Sequence, residues 1–113
     1  MGSNFHVKLL ADNELISLLR DSQDPVVLEA VADEVGDRRL LRSASVLVDR
    51  LLGSRVQDDR DVEDAVCHAL TMLGLMERRG HLTYFFVESK AANLVPDWDR
   101  ISAYLPRRYF ISR

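Results

Sequence analysis

A single cysteine in 113 residues excludes an internal disulfide framework. Cys67 is therefore expected to sit as a thiol, compatible with a reducing compartment. No apolar run approaches the roughly 20 residues that a membrane helix requires, so no membrane partner is expected. Met1-Gly2-Ser3 has neither the basic nor the apolar region of a signal peptide, and His6 stands where a myristoylation signal wants Ser or Thr. We set these three residues aside from the fold reasoning and expect a cytoplasmic location. Three prolines and five glycines are too few for a flexible linker or a low-complexity segment, so residues 1–113 are read as one domain. Its expected parts are an N-terminal arm (1–11), helical hairpins (12–74) and a C-terminal part (75–113).

Signatures of chemistry are also missing. There is no Gly-x-Ser-x-Gly, phosphate loop or dinucleotide fingerprint. His6, His68 and His81 are far apart in the chain. Cys67 and His68 are neighbours, about 100° apart around a helix, so they cannot share a ligand face. Asp59, Asp61 and Glu63 have the spacing of a calcium loop, but Asp64 and Leu70 stand where its glycine and glutamate belong. No catalytic residue, metal or cofactor is expected, and the chain is read as a non-enzyme.

What is present is helical periodicity. Val62, Ala65, Val66, Ala69, Leu70 and Leu73 recur at three and four residues, with Asp58, Asp59, Asp61, Glu63 and Asp64 before or inside the first turn, where carboxylates suit a helix start, and with Gly74 as the stop. Before it, Asp12 and Asn13 offer caps to a helix carrying Leu15, Ile16, Leu18 and Leu19 and ending near Asp21. Asp24-Pro25 opens a second, with Val27, Ala30, Val31 and Val35 facing inward and Gly36 ending it. A third begins after Asp37 and runs to Leu52, burying Leu40, Ala44, Leu47, Val48 and Leu51, with Gly53 as the stop and a polar connector to Asp59. Phe5, Val7, Leu9 and Leu10 form an apolar arm, as strand or cap.

The final third changes character. Leu75 to Val87 reads as a β-hairpin turning near Gly80, with Tyr84, Phe85 and Phe86 assigned to the core. Ser89 to Asn93 is irregular, Pro96 breaks the chain, and Asp97 caps one short helix bearing Trp98, Ile101 and Leu105 that closes over the hairpin. The expected fold is mainly α: two antiparallel helical hairpins, a small C-terminal β-hairpin and one short helix.

Asp24-x-x-Val27-x-x-Ala30-Val31 recurs 35 residues later as Asp59-x-x-Val62-x-x-Ala65-Val66, each after a leucine pair, Leu18-Leu19 and Leu51-Leu52. Over residues 12–74 this resembles the HEAT-like family of helical repeats, which implies a scaffold that binds proteins and transfers no functional residue. Leu70 to Gly80 followed by Tyr84-Phe85-Phe86 resembles the last helix and wing of winged-helix domains over residues 60–87. That implies a DNA-binding regulator with residues 60–73 as recognition helix, but Asp61, Glu63 and Asp64 would oppose phosphates that demand Lys or Arg.

Charge is unevenly spread within a net of −3: eight basic against fourteen acidic residues up to Gly74, seven against four after it. The basic C-terminal third supplies the expected partner-binding residues. Arg78, Arg79 and His81 form a hairpin tip able to grip carboxylate or phosphate, and Arg107, Arg108, Tyr109 and Phe110 are residue types enriched at interface hot spots, packed back as an edge strand or held out for a partner. The expectation is a regulator, inhibitor or adaptor that docks to a protein, with nucleic acid as the alternative partner and a homodimer left open because two hairpins leave a flank uncovered.

Overall fold

The computed structural model describes residues 6–52, 59–81 and 83–111. Phe5, the stop at Gly53, the connector with Asp58, and Leu82 of the apolar run lie outside the described residues. The described elements are mainly helical: α1 (Asp12–Asp21), α2 (Pro25–Asp37), α3 (Ala44–Leu52) and α4 (Arg60–Met72), then strands β1 (Met76–Arg78) and β2 (Tyr84–Phe86), then α5 (Glu88–Leu94) and α6 (Trp98–Ser102). Three 3-10 turns, Val7–Leu9, Leu41–Ser43 and Arg107–Tyr109, complete them.

The helices bury most of the faces that their spacing marks. On α2 the buried face is rotated toward Leu28 and Ala32, leaving Val27 and Ala30 half-buried, and Leu40 lies half-buried before α3. Leu15 and Leu19 of α1, Leu28, Val31, Ala32 and Val35 of α2, Leu47, Val48 and Leu51 of α3, and Val62, Ala65, Val66, Ala69 and Leu70 of α4 make one core. Neighbours α1 and α2 pack as a hairpin, as do α3 and α4; in addition α1 lies on α3 and α2 on α4. The α2–α4 contact is the most extensive, because these two helices carry small residues where they meet. Gly36 is the extreme case: a Cβ built on it would sit 2.9 Å from the Cα of Ala69.

Gly36 therefore does not end α2, as its position suggested; it lies inside the helix and allows close approach. The chain turns three residues later, where Arg39 takes a left-handed backbone (φ 52°). That turn also delays α3, which starts at Ala44 after the 3-10 turn and not directly after Asp37. Two start signals act as read: Asp24 accepts from Val26 N–H at 2.9 Å, and Asp59 accepts from Asp61 and Val62 N–H at 3.1 Å each. Asp12 and Asn13 do not cap α1. Ala11 holds that position, with its N–H donating to Glu14 at 2.8 Å, and the two expected caps are drawn to Arg38 and Arg42 instead.

The described part of the N-terminal arm, residues 6–11, is a cap and not a strand. Arg38 uses all five of its N–H donors to hold it: Nε to Glu34 (2.8 Å), Nη1 to Leu10 O (2.8 Å) and Asp12 (2.9 Å), Nη2 to Val7 O and Lys8 O (3.2 Å each). The guanidinium fork closes the end of α2 against a chain segment about 30 residues away in sequence.

After α4 the left-handed Gly74 (φ 89°) turns the chain into β1, and Gly80 (φ 70°) turns it back into β2, in the register Met76 to Phe86, Glu77 to Phe85 and Arg78 to Tyr84. The single short helix expected next is two. Ser89 to Asn93 lies within α5, and α6 ends at Ser102, before Leu105. Asp97 precedes α6 with a left-handed backbone and no side-chain cap bond. Trp98 closes over the hairpin as expected: its ring meets Phe86 edge-on at 4.9 Å, and Phe110 joins both, 5.5 Å from Phe86 and 6.3 Å from Trp98. No described helix is long and apolar enough to cross a membrane.

Candidate partner-docking surface

The hairpin presents two arginines and a histidine at one end. Arg78, Arg79 and His81 are all exposed, on either side of Gly80. The tip is closed by Arg79 N–H donating to Thr83 O at 2.8 Å and by Arg78 Nε donating to Gly80 O at 3.3 Å. Adjacent strand residues point to opposite faces, so Arg78 rests over Tyr84 on one face and Arg79 over Phe85 on the other, each 5.9 Å from its ring. Arg79 is also 3.5 Å from Glu77, an exposed pair of small energetic weight. The guanidiniums are thus held in place by aromatic rings while remaining open to solvent.

Behind the tip, Phe86 is locked into the aromatic cluster, and Tyr84 donates a hydrogen bond to Asp64 of α4 at 2.8 Å. Burial and this carboxylate push the Tyr84 hydroxyl up to about 12. The hairpin therefore stands on a fixed base.

The C-terminal segment is placed differently from its expected role. Arg107 is exposed. Arg108 reaches back to Glu63 at 2.5 Å, with its guanidinium 4.9 Å from the Tyr109 ring. Tyr109 and Phe110 are 3% and 6% exposed, so their rings belong to the core and are not offered to a partner. Nor does the segment form an edge strand; it makes the 3-10 turn Arg107–Tyr109, which packs beside β2. The Tyr109 hydroxyl donates to Glu63, and burial, the neighbouring thiol and that carboxylate hold it well above the ordinary phenol range.

Glu63 and Asp64 thus act as paired acceptors on α4, one for Tyr109 and Arg108, the other for Tyr84. Sequence reasoning took them for helix-start acids. The only signal of their second role was that both fall beyond the capping position, where a dipole effect fades. They line a cleft of about 180 Å³ with Arg60, Cys67, Thr83, Tyr84, Arg108 and Tyr109. The Cys67 thiol in it is pushed up to about 12 by burial and by the Glu63 charge, so it stays protonated at neutral pH and is a poor nucleophile. Among the described residues, no group of three or more His, Cys, Asp or Glu side chains is arranged to hold a metal ion.

The face that α2 shares with α4 is acidic. Glu29 and Asp33, one turn apart on α2, face Asp61 and Asp64 of α4. Partial burial first, then repulsion, from Asp61 and Asp33 at Glu29 and from Asp37 and Asp64 at Asp33, raises both carboxyl groups above their ordinary range, with His68 easing Asp33.

Comparison with known proteins finds no match to a family model, to a curated protein or to a solved structure.

Proposed function

We propose that this domain is a non-enzymatic docking module that acts as a regulator, inhibitor or adaptor by presenting its basic β-hairpin to an acidic protein. The observation that carries this reading is the tip itself: Arg78 and Arg79 are exposed, stacked on Tyr84 and Phe85, and mounted on a strand pair anchored in the aromatic cluster. A cation that is already ordered loses less side-chain freedom on binding than a mobile one. His81 is exposed at the same tip and Arg107 on the turn that packs against β2, whereas Tyr109 and Phe110 are buried. The two stacked helical hairpins serve as the rigid scaffold, which fits the repeat-like pattern of residues 12–74.

Protein is favoured over duplex DNA as the partner because of α4. The helix that a winged-helix reading would send into the groove carries Asp61, Glu63 and Asp64, and its acidic flank faces Glu29 and Asp33 of α2. Phosphate contacts dominate nucleic-acid affinity, and these carboxylates oppose them.

The test is affinity capture with the wild-type protein, followed by measured binding of the captured partner to wild type and to the Arg78→Ala/Arg79→Ala double variant. Loss of the two arginines is expected to weaken binding by about tenfold or more. Unchanged partner affinity in the double variant would count against the reading. So would saturable duplex-DNA binding that falls steeply with salt and disappears in the same variant.

A further inference from the structure

The strand pair leaves one row of backbone groups pointing away from the protein. Arg79 N–H donates to Thr83 O and Val87 N–H to Leu75 O, each at 2.8 Å. Hydrogen-bonded and non-hydrogen-bonded pairs alternate along an antiparallel ladder. With residues 75 and 79 turned toward β2, Arg78, opposite Tyr84, must turn its N–H and C=O outward. Among the described residues, neither group of Arg78 meets a hydrogen-bond partner, and Glu77 and Arg78 are both exposed. The turn Arg107–Tyr109 packs against β2, and α4 packs against β1, where Met76 is buried; the open stretch of the sheet edge is the exposed end of β1 at Glu77 and Arg78.

We propose that β1 receives an extended acidic segment of the partner protein as a third strand, hydrogen-bonded to the outward N–H and C=O of Arg78. This rests on the hairpin-docking reading and adds the mode of attachment and the chemistry of the segment. Cross-strand neighbours lie about 4.5–5.5 Å apart, close enough for an acid on the added strand to meet the guanidinium beside it. Arg78 and Arg79 lie on opposite faces, so the segment carries two consecutive acidic residues, one reaching each face. A second copy of this chain fits the edge poorly: pairing β1 with β1 about Arg78 sets arginine against arginine. Nucleic acid offers no extended peptide ladder to match the Arg78 carbonyl and amide.

The experiment uses a short labelled peptide with a central Glu-Glu flanked by Val and Thr, its Gln-Gln counterpart, and amide hydrogen exchange of the full chain. The Glu-Glu peptide is expected to bind at low salt at least about tenfold more tightly than the Gln-Gln one, a difference of about 1.4 kcal/mol. Its binding should slow exchange of the Arg78 amide, while that of Arg79, already bonded to Thr83, changes little. Arg78→Pro should abolish binding without costing the β1–β2 ladder a bond, since the lost N–H points outward; Arg78→Lys should retain most of it. Peptide binding with no change in Arg78 exchange would overturn strand addition and leave the hairpin as a side-chain docking surface. Failure of the wild type to bind the peptide would overturn strand addition too, as would protection of Arg78 by self-association alone. Full peptide binding by Arg78→Ala/Arg79→Ala would instead sink the hairpin-docking reading.

Discussion

The Tyr109 hydroxyl donates to the carboxylate of Glu63, 46 residues earlier in the chain, and Arg108 binds the same oxygen. One carboxylate on α4 thus fastens the C-terminal turn over the base of the hairpin. A hydrogen bond to a charged group contributes about 1.5–3 kcal/mol, and here the donor is buried. Tyr109→Phe should therefore lower stability by about 2 kcal/mol in urea unfolding, and a double-mutant cycle with Glu63→Gln should show the two losses to be less than additive. Additive losses would mean the bond does not stabilise the fold.

Tyr84 and Tyr109 both have raised folded-state pKa values, so the fold favours their neutral forms. Their contribution is fully present below the ordinary phenol value of about 10 and is lost as pH rises through the folded value, near 12 for Tyr84. Ionisation of Tyr84 in the folded protein should shift to lower pH in Asp64→Ala, which removes the acceptor that helps hold its proton, so that less stability is lost on raising the pH. Monitoring tyrosinate absorbance together with circular dichroism would check this.

Gly36→Ala should destabilise the protein although it improves helix propensity. A methyl group 2.9 Å from the Ala69 Cα cannot be relieved by a rotamer change, because the obstacle is backbone. Overpacking of about 1–3 kcal/mol exceeds the propensity gain of at most about 1 kcal/mol. A rise in the thermal midpoint would show that α2 and α4 can separate at little cost.

Glu34 has the opposite pH sign to the tyrosines. The Arg38 fork holds its carboxyl below the ordinary value near 4.5, against a smaller opposing effect of burial. Its stabilisation is therefore present above that value and lost as pH falls through the lower folded pKa. Arg38→Ala should release the arm, seen as faster amide exchange at Leu9 and Leu10, and should raise the pH at which the protein unfolds in acid. Glu29 differs again: burial first and then repulsion from Asp61 and its neighbours raise its pKa, so ionisation opposes folding and Glu29→Gln should slightly stabilise at neutral pH, with only the part due to repulsion shrinking in high salt.

Cys67 should react slowly with a thiol reagent in the folded protein and quickly in denaturant, because its pKa is pushed up to about 12 and its side chain is buried. Rapid modification of the native protein at neutral pH would contradict its placement beneath Tyr109.

Local spacing and local chemistry carried much of this architecture. The apolar stripes of α1, α3 and α4, the caps Asp24 and Asp59, and the turns at Gly74 and Gly80 each depend on residues within a few positions of one another, and the sequence by itself determined them. The exposed tip Arg78, Arg79 and His81 was legible for the same reason: a glycine turn between two short strands must project what lies beside it. Tertiary structure decided the rest. Gly36 reads as a stop until Ala69 is seen against it. Arg38 reads as one arginine among fifteen basic residues until five donors meet acceptors brought by the arm and by Asp12. Tyr109 and Phe110 have the composition of an interface, yet they turn inward because Glu63 and the Phe86–Trp98 pair await them across the fold. A hydrogen-bond partner or a close backbone approach that comes from a distant segment leaves no periodic mark on the chain, so only the folded structure shows it.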